Sequence, residues 1–583
     1  MKKFSAFLLT YALACLMLGG CAAKDQPISQ SAANAAEIQG TAIVLSDEGI
    51  TVDGAAVGTD AAAAVYTAND IVYYEVGKDF TYGEGTEADA HSAEEAGAHT
   101  VVHITQPGTY VLSGKLSQGQ IAVDLGDEAE EDPEAVVTLV LNDVDITCSV
   151  APAVIFYNVY ECGSADTETA TKDVDTTAAG ANVLIADGTV NNIYGAYVAR
   201  IYKPESVVLS ADGTKVEEAK KLHKYDAAFY SKMTMNVGAW GDGTGVLNIN
   251  AENEGLDSEL HLTINGGNIN ITSGNDGINT NEDGVSVTTI NGGSVNIVVT
   301  GTTGEGDGID SNGWLVINGG TVMASACGFS GDSGIDSDMG IHVNSGTVLA
   351  SGNMLDRLED GGQNYAVFTF AQTQSGGNTY TFKNADGTVA AEYTPANDFS
   401  ILVVSAQELT AGEYTFWQGE TQLAASSGMG GFGGMMGGQM GGMMNGQRPV
   451  TPGGPQVPEE WEGLKVSELP QIPATEEGTQ PAQTPDNAED MTPPELPEGM
   501  EEMTPPEDME LPEGMENMGN PGMPAGGMEN GQRPDGMKGG FQGGDFGGRN
   551  PGMQQGGQMG GELSTTFTIA DGANYFSGVT AAQ

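Results

Sequence analysis

A short phrase that recurs four times, an Asn-Gly-Gly corner after each copy, and strand-like alternation between them predict an all-β chain organised as a parallel β-helix. The phrase reads Gly255-Leu256-Asp257-Ser258, Gly277-Ile278-Asn279-Thr280, Gly308-Ile309-Asp310-Ser311 and Gly334-Ile335-Asp336-Ser337. The corners are Ile264-Asn265-Gly266-Gly267, Ile290-Asn291-Gly292-Gly293, Ile317-Asn318-Gly319-Gly320 and the altered Val343-Asn344-Ser345-Gly346, spaced by 26, 27 and 26 residues. Self-similarity at that period marks a stack of like units, none of which buries its apolar face alone. Leu262-Thr263-Ile264 before a corner and Ile269-Asn270-Ile271 after it alternate with the period of a strand. A unit of ~26 residues with about three short strands is one coil of such a solenoid. The corner asparagines are expected to stack into a structural ladder.

A second ladder carries chemistry. If Ile309 points into the coil, Asp310 points out, because side chains alternate along a strand. Registering the four coils in this way lines up Asp257, Asn279, Asp310 and Asp336, flanked by Glu259, Asn281, Asn312 and Asp338, with Glu254, Asp276, Asp307 and Asp332 just ahead of each strand. Residues 240–352 hold 14 Asp and Glu and no Lys or Arg. Oxygens brought within ~4.8 Å of one another on neighbouring coils need a counter-charge. Carboxylates mixed with Asn amide oxygens suit calcium rather than zinc or a redox metal. The candidate ligands are Glu254, Asp257, Asp276, Asn279, Asp307, Asp310, Asp332, Asp336 and Asp338; the competing account is a solvated acidic face.

Taken from its start, the chain opens on a lipoprotein-type signal over residues 1–21. Lys2 and Lys3 precede an apolar run from Phe4 to Leu18, and Leu18-Gly19-Gly20-Cys21 has the form of a lipobox. Lipid on Cys21 would tether the chain to the outer face of a bacterial cell membrane, with no membrane contact beyond that anchor. A net charge of -60 excludes nucleic acid as a partner. Of five cysteines, Cys148, Cys162 and Cys327 remain after the signal and the lipid site, so no disulfide framework is expected. Residues 22–39 read as a spacer. The coils are expected from 40 to 352, with loops projecting near residues 162–180 and 200–224.

The segments "GTYVLSGKLSQGQIAVD", "VTLVLNDVDIT" and "DAAFYSKMTMNVGAWGDGTGVLNI", with the Gly-Ile-Asp and Asn-Gly-Gly coils, resemble the clostridial-type β-helix carbohydrate-binding domain. The resemblance implies a right-handed parallel β-helix, bound calcium, and adhesion to cellulose or pectin-like polygalacturonate without catalysis. It covers roughly residues 41–423 and the C-terminal segment; the inserts and the long tail depart from it.

After Gly352 the coil pattern stops. Strand patterns such as Tyr365-Ala366-Val367-Phe368 and Glu413-Tyr414-Thr415-Phe416-Trp417 predict a small antiparallel β module over 353–426, capping the open end of the solenoid. Residues 427–561 are rich in Gly, Met, Pro and Glu and read as a disordered insertion. Residues 562–583 return to strand and are expected to pair near Glu413–Trp417.

For function, the sequence favours a monomeric, lipid-anchored polysaccharide binder, with Trp240, Trp314 and Tyr230 as the aromatic platforms for sugar rings. Two alternatives stay open. One is a calcium-dependent lyase of the pectate-lyase type, which needs a basic residue beside the metal and finds none within the acidic coils. The other is a structural adhesin with a protein partner.

Overall fold

The computed structural model describes residues 39–428 and 562–582. The signal segment with Cys21, the spacer up to residue 38, and all but the first two residues of the 427–561 insertion lie outside the described residues. The described chain is all-β, with helix confined to the single turn Ala93–Gly97 and two short 3-10 turns.

Each repeat supplies three strands, and each strand pairs in parallel with its counterpart one repeat on. Glu254–Ser258, His261–Ile264 and Asn268–Ser273 make one repeat, followed by Ile278–Thr280, Val287–Ile290 and Ser294–Val299. In the first ladder Leu256 faces Ile278, which faces Ile309. In the second, Ile264, Ile290, Ile317 and Val343 are in register. In the third, Ile269, Val295, Val322 and Val348 are. These are the apolar members of the alternation, and all are buried. The ladders continue toward the N-terminus: Ala227–Ser231, Val154–Asn158, Gly119–Asp124 and Thr100–Ile104 extend the first with the same parallel pairing.

The recurring phrases have separate local reasons. The second glycine of each corner, at positions 267, 293, 320 and 346, has φ of 93°, 84°, 77° and 93°. An L side chain there is strained, which is why the altered corner keeps Gly346 even though its first glycine has become Ser345. The Ser or Thr closing each Gly-Ile-Asp phrase turns inward at a bend. Ser258 Oγ donates to the Met233 and His261 carbonyls at 2.9 and 3.0 Å, and Thr280 Oγ1 lies 2.9 Å from Ser311 Oγ. Each hydroxyl satisfies a polar group that the bend would otherwise strand inside.

Two expectations need correction. The segment near residues 200–224 is not a loop: Val198–Tyr202 pairs antiparallel with Lys221–Tyr225, making a β-ribbon whose Ile201 and Tyr225 are buried. The module after Gly352 is not wholly antiparallel either. Tyr365–Gln374 lies parallel to Ala573–Ala581 on one side and antiparallel to Phe399–Ser405 on the other. A parallel pair needs a long connection, and the strands Tyr380–Asn384 to Phe567–Ile569 all lie between these two in the chain. Phe567–Ile569 pairs with Gly412–Gln418, Glu413 facing Thr568. The module's core is aromatic, with Phe368 stacked on Phe416 and Phe576 at centroid distances of 4.3 and 5.4 Å.

Candidate metal centre

The first ladder brings the acidic phrases together. Asp257, Asn279 and Asp310 are register partners on successive strands. The fourth phrase follows without a formal strand: Ile309 N donates to the Gly334 carbonyl at 3.3 Å, and Asp336 N to the Ile309 carbonyl at 2.7 Å. Three residues nearer the N-terminal end of the ladder, Glu254, Asp276 and Asp307 align, and their carboxylates reach along the stack. Asp276 Oδ1 accepts from Asp307 N at 2.6 Å, and Asp307 Oδ1 from Ser333 N at 2.5 Å. Asp332 falls one residue out of this row, since Ser333 is the residue aligned with Asp307. Its carboxylate instead caps Gly306 N at 2.7 Å and takes the Ser330 hydroxyl. Asp338 continues the row of Glu259 and Asn281 and is exposed.

The stack is not the solvated surface that strand alternation implies. Asp257 is 0% exposed, Glu254 6%, Asn279 7% and Asp276 9%. The β-ribbon explains part of this, because it lays its own side chains over the acidic face. Lys221 Nζ sits 3.0 Å from Glu259, and Lys224 Nζ pairs with Asp226. Counter-charge from protein is therefore present, although residues 240–352 carry none.

Four buried side-chain oxygens in this stack have no hydrogen-bond donor: Glu254 Oε2, Asp257 Oδ2, Asn279 Oδ1 and Asp336 Oδ1. The other oxygens of Glu254 and Asp257 are satisfied, Glu254 Oε1 by Asn279 Nδ2 at 3.2 Å and Asp257 Oδ1 by Asn281 Nδ2 at 2.8 Å. A buried acceptor left without a partner costs about 1–3 kcal/mol, and more when charged. Asp226, Glu254 and Asp257 bring one carboxylate oxygen each to within 4.8 Å of one another, and all three residues are buried. This triad could hold a metal ion.

Electrostatics agrees with the geometry. Burial first, and repulsion from neighbouring carboxylates second, push Glu254 and Asp257 well above the ordinary carboxylate range. Burial also lifts Asp276 and Asp310 to about 7 and Asp336 to about 8, and Asp307 rises for the same reason. Asp226 is raised by burial against the pull of Lys224. Burial disfavours the charged Lys224 ammonium, but attraction to Asp226, Glu254 and Asp257 outweighs it and holds the group above ordinary lysine. Fully ionised, three carboxylates against one ammonium would carry two negative charges, the charge that one divalent cation neutralises; without such a cation, burial favours their protonated forms.

Asp226 escapes detection in the sequence because its rung is disguised. Ala227 faces Glu254, and Tyr230 faces Asp257, so Asp226-Ala227-Ala228-Phe229-Tyr230-Ser231 is a repeat unit without the Gly-Ile-Asp phrase. The surviving Ser231, in register with Ser258, is the one signal that could have revealed it.

The aromatic candidates do not converge. Tyr230 is 1% exposed; its ring packs 5.3 Å from Tyr225 and its hydroxyl donates to Glu259, so it offers no face to a sugar. Trp240 is 38% exposed at the end of its strand, whereas Trp314 is half-buried at the start of its own. Pairing puts Trp314 level with Thr234, six residues before Trp240, or ~20 Å along the strand direction. His261 is structural: its buried Nδ1 accepts from Val287 N at 3.1 Å, and burial pulls its pKa down to about 4.

Residues 98–426 match the family model described as carbohydrate-binding domain-containing protein. No curated protein matches the chain. Among solved structures, the polysaccharide lyase-like protein from C. thermocellum, as a gadolinium derivative, aligns over 55% of this chain and 97% of its own, at 20% identity and a TM-score of 0.30.

Proposed function

The chain belongs to the carbohydrate-binding domain-containing family, which its residues 98–426 match, and from that premise we propose that it is a non-catalytic polysaccharide-binding protein held rigid by calcium. In this proposal the three parallel ladders are the walls of a right-handed parallel β-helix. Lipid on Cys21 anchors it to the outer face of the cell membrane, and its ligand is a cell-wall-type polymer, cellulose or polygalacturonate.

The observation that carries the calcium part is the set of four buried acceptor oxygens with no donor, all within one acidic stack. Such groups persist in a folded protein when something outside the chain satisfies them. Asp226, Glu254 and Asp257, with the Asn279 carbonyl, would hold one ion, and Asp276, Asp307, Asp310 and Asp336 continue the same chemistry along the stack. The donors are hard oxygens with no thiolate or imidazole among them, which suits calcium. Bound there, the ion supplies charge neutralisation and a cross-link between successive rungs.

A lyase would require a base beside the metal. Lys221 and Lys224 are close enough in place, but each is engaged by a carboxylate, and the raised pKa of Lys224 is opposite to what proton abstraction needs. The test is retention on insoluble cellulose and on polygalacturonate with EDTA and then with added calcium. Retention that is lost with chelator and restored by calcium supports the proposal. Retention indifferent to chelator removes the calcium requirement, failure to bind any glycan removes the function, and release of unsaturated oligouronides reassigns the protein as a lyase.

A further inference from the structure

Away from the acidic stack, the Asn-Gly-Gly corners build a second continuous feature. Asn291 Nδ2 donates to Asn265 Oδ1 at 2.9 Å, Asn318 Nδ2 to Asn291 Oδ1 at 2.9 Å, and Asn344 Nδ2 to Asn318 Oδ1 at 2.8 Å. All four residues are exposed. Beside this ladder runs a row of outward side chains in register, Asn236, Thr263, Thr289, Val316 and His342. The segment 172–177 forms a wall along it, fixed by the Thr176 hydroxyl donating to Thr263 Oγ1 at 2.7 Å and by Asn236 Nδ2 donating to the Thr176 carbonyl at 2.8 Å. Wall, floor and ladder enclose a groove of about 440 Å³.

The polar capacity of this groove is only half used. A side-chain amide has two N–H donors and two acceptor lone pairs. Asn291 and Asn318 each spend one donor and one lone pair on the ladder, which leaves one of each per rung on the open edge. Asn236 Oδ1, at one end of the floor, is buried with no donor. The rungs repeat every ~4.8 Å, close to the length of one pyranose unit in an extended glycan, so the free pairs are placed to meet successive sugar hydroxyls. The charge on the lining is committed: Lys172 pairs with Asp173 at 2.6 Å, and Asp175 Oδ1 takes the Thr177 amide and hydroxyl at 3.0 and 2.7 Å. No uncommitted cation among the lining residues faces the groove to receive a uronate carboxylate.

We propose that this groove binds an extended, uncharged hexopyranose chain lengthwise, one sugar unit per rung. The proposal rests on the polysaccharide-binding assignment above and adds to it a place and a ligand charge. It is tested by calorimetric titration of the full chain, in calcium, with cellohexaose and with hexagalacturonate. The variants are Thr289→Tyr, which fills the floor, and Thr177→Trp, which intrudes from the exposed wall without touching the sheet. Melting curves establish that both variants fold.

The expected result is cellohexaose binding by the wild type that falls at least tenfold in both variants. Undiminished binding by the folded variants would place the glycan elsewhere and overturn the groove while leaving polysaccharide binding intact. Binding of hexagalacturonate alone would overturn the uncharged ligand. Binding of neither sugar would remove the underlying assignment as well.

Discussion

Asp257 concentrates the burial problem of the acidic stack in one side chain. Its Oδ2 is buried without a donor, and Glu254 Oε2 is in the same position beside it. In chelated protein, Asp257→Asn removes an ionisable group from a buried acidic cluster and is expected to leave the melting temperature unchanged or raise it. If the proposed calcium site is right, the same substitution with calcium present removes a ligand, and at least half of the calcium-induced rise in melting temperature should disappear. Paired melts in EDTA and in calcium read both effects; a variant that loses stability equally in the two conditions would mean that Asp257 is structural only. The acid groups also set a pH dependence. Asp276, Asp310 and Asp336 ordinarily titrate near 3.8 but are lifted to about 7, 7 and 8 by burial. Between those limits the folded chelated protein holds more protons than the unfolded chain, so its stability falls as pH rises. The contribution is complete below pH ~4 and lost through pH ~8, with a slope approaching 1.36 kcal/mol per pH unit for each group. Calcium should flatten that slope, which denaturant melts at pH 5 and pH 8 with and without EDTA would measure.

At the scale of the strand and its corner, the repeat is written in backbone demands as much as in side chains. Gly267 has φ of 93°, and a Cβ there would meet the Ile185 side chain at 2.7 Å, whereas a Cβ on Gly266 meets nothing closer than 3.7 Å. Gly267→Ser is therefore expected to cost about 1–2 kcal/mol and Gly266→Ser a few tenths, as read from urea midpoints; equal costs would contradict the backbone explanation. The register of the acidic ladder was legible in the sequence because the Gly-Ile-Asp phrase carries both a period and an inward residue to align on. Asp332 lies just ahead of its phrase but one residue out of the row of Asp307, because Gly331-Asp332-Ser333-Gly334 offers two polar residues ahead of the glycine, and only the pairing with Asp307 chooses Ser333. The burial of Asp257 and the roles of Asp226, Lys221 and Lys224 were not legible. They depend on a ribbon from residues 198–225 folding over a face built mainly from residues 226–338, and local periodicity carries no information about such a contact. Tyr230 fails as a sugar platform for the same reason, since the ribbon's Tyr225 covers it.

For the molecule as a whole, a net charge of -60 opposes compaction, and part of that charge is concentrated inside the fold. Calcium at 100 times its dissociation constant would add about 2.7 kcal/mol per site. Chelation should therefore lower the melting temperature by several degrees and expose residues 226–338 to protease before the aromatic module at 365–427. Loss of the module first would contradict that ranking. The central claim is that the buried acidic stack holds calcium, and equilibrium dialysis of EDTA-stripped protein against radioactive calcium tests it most directly. The account predicts at least one tightly held ion per chain, with that ion lost in the double variant Glu254→Gln, Asp257→Asn. Absence of bound calcium in the folded wild-type chain, or undiminished binding by the double variant, would contradict it.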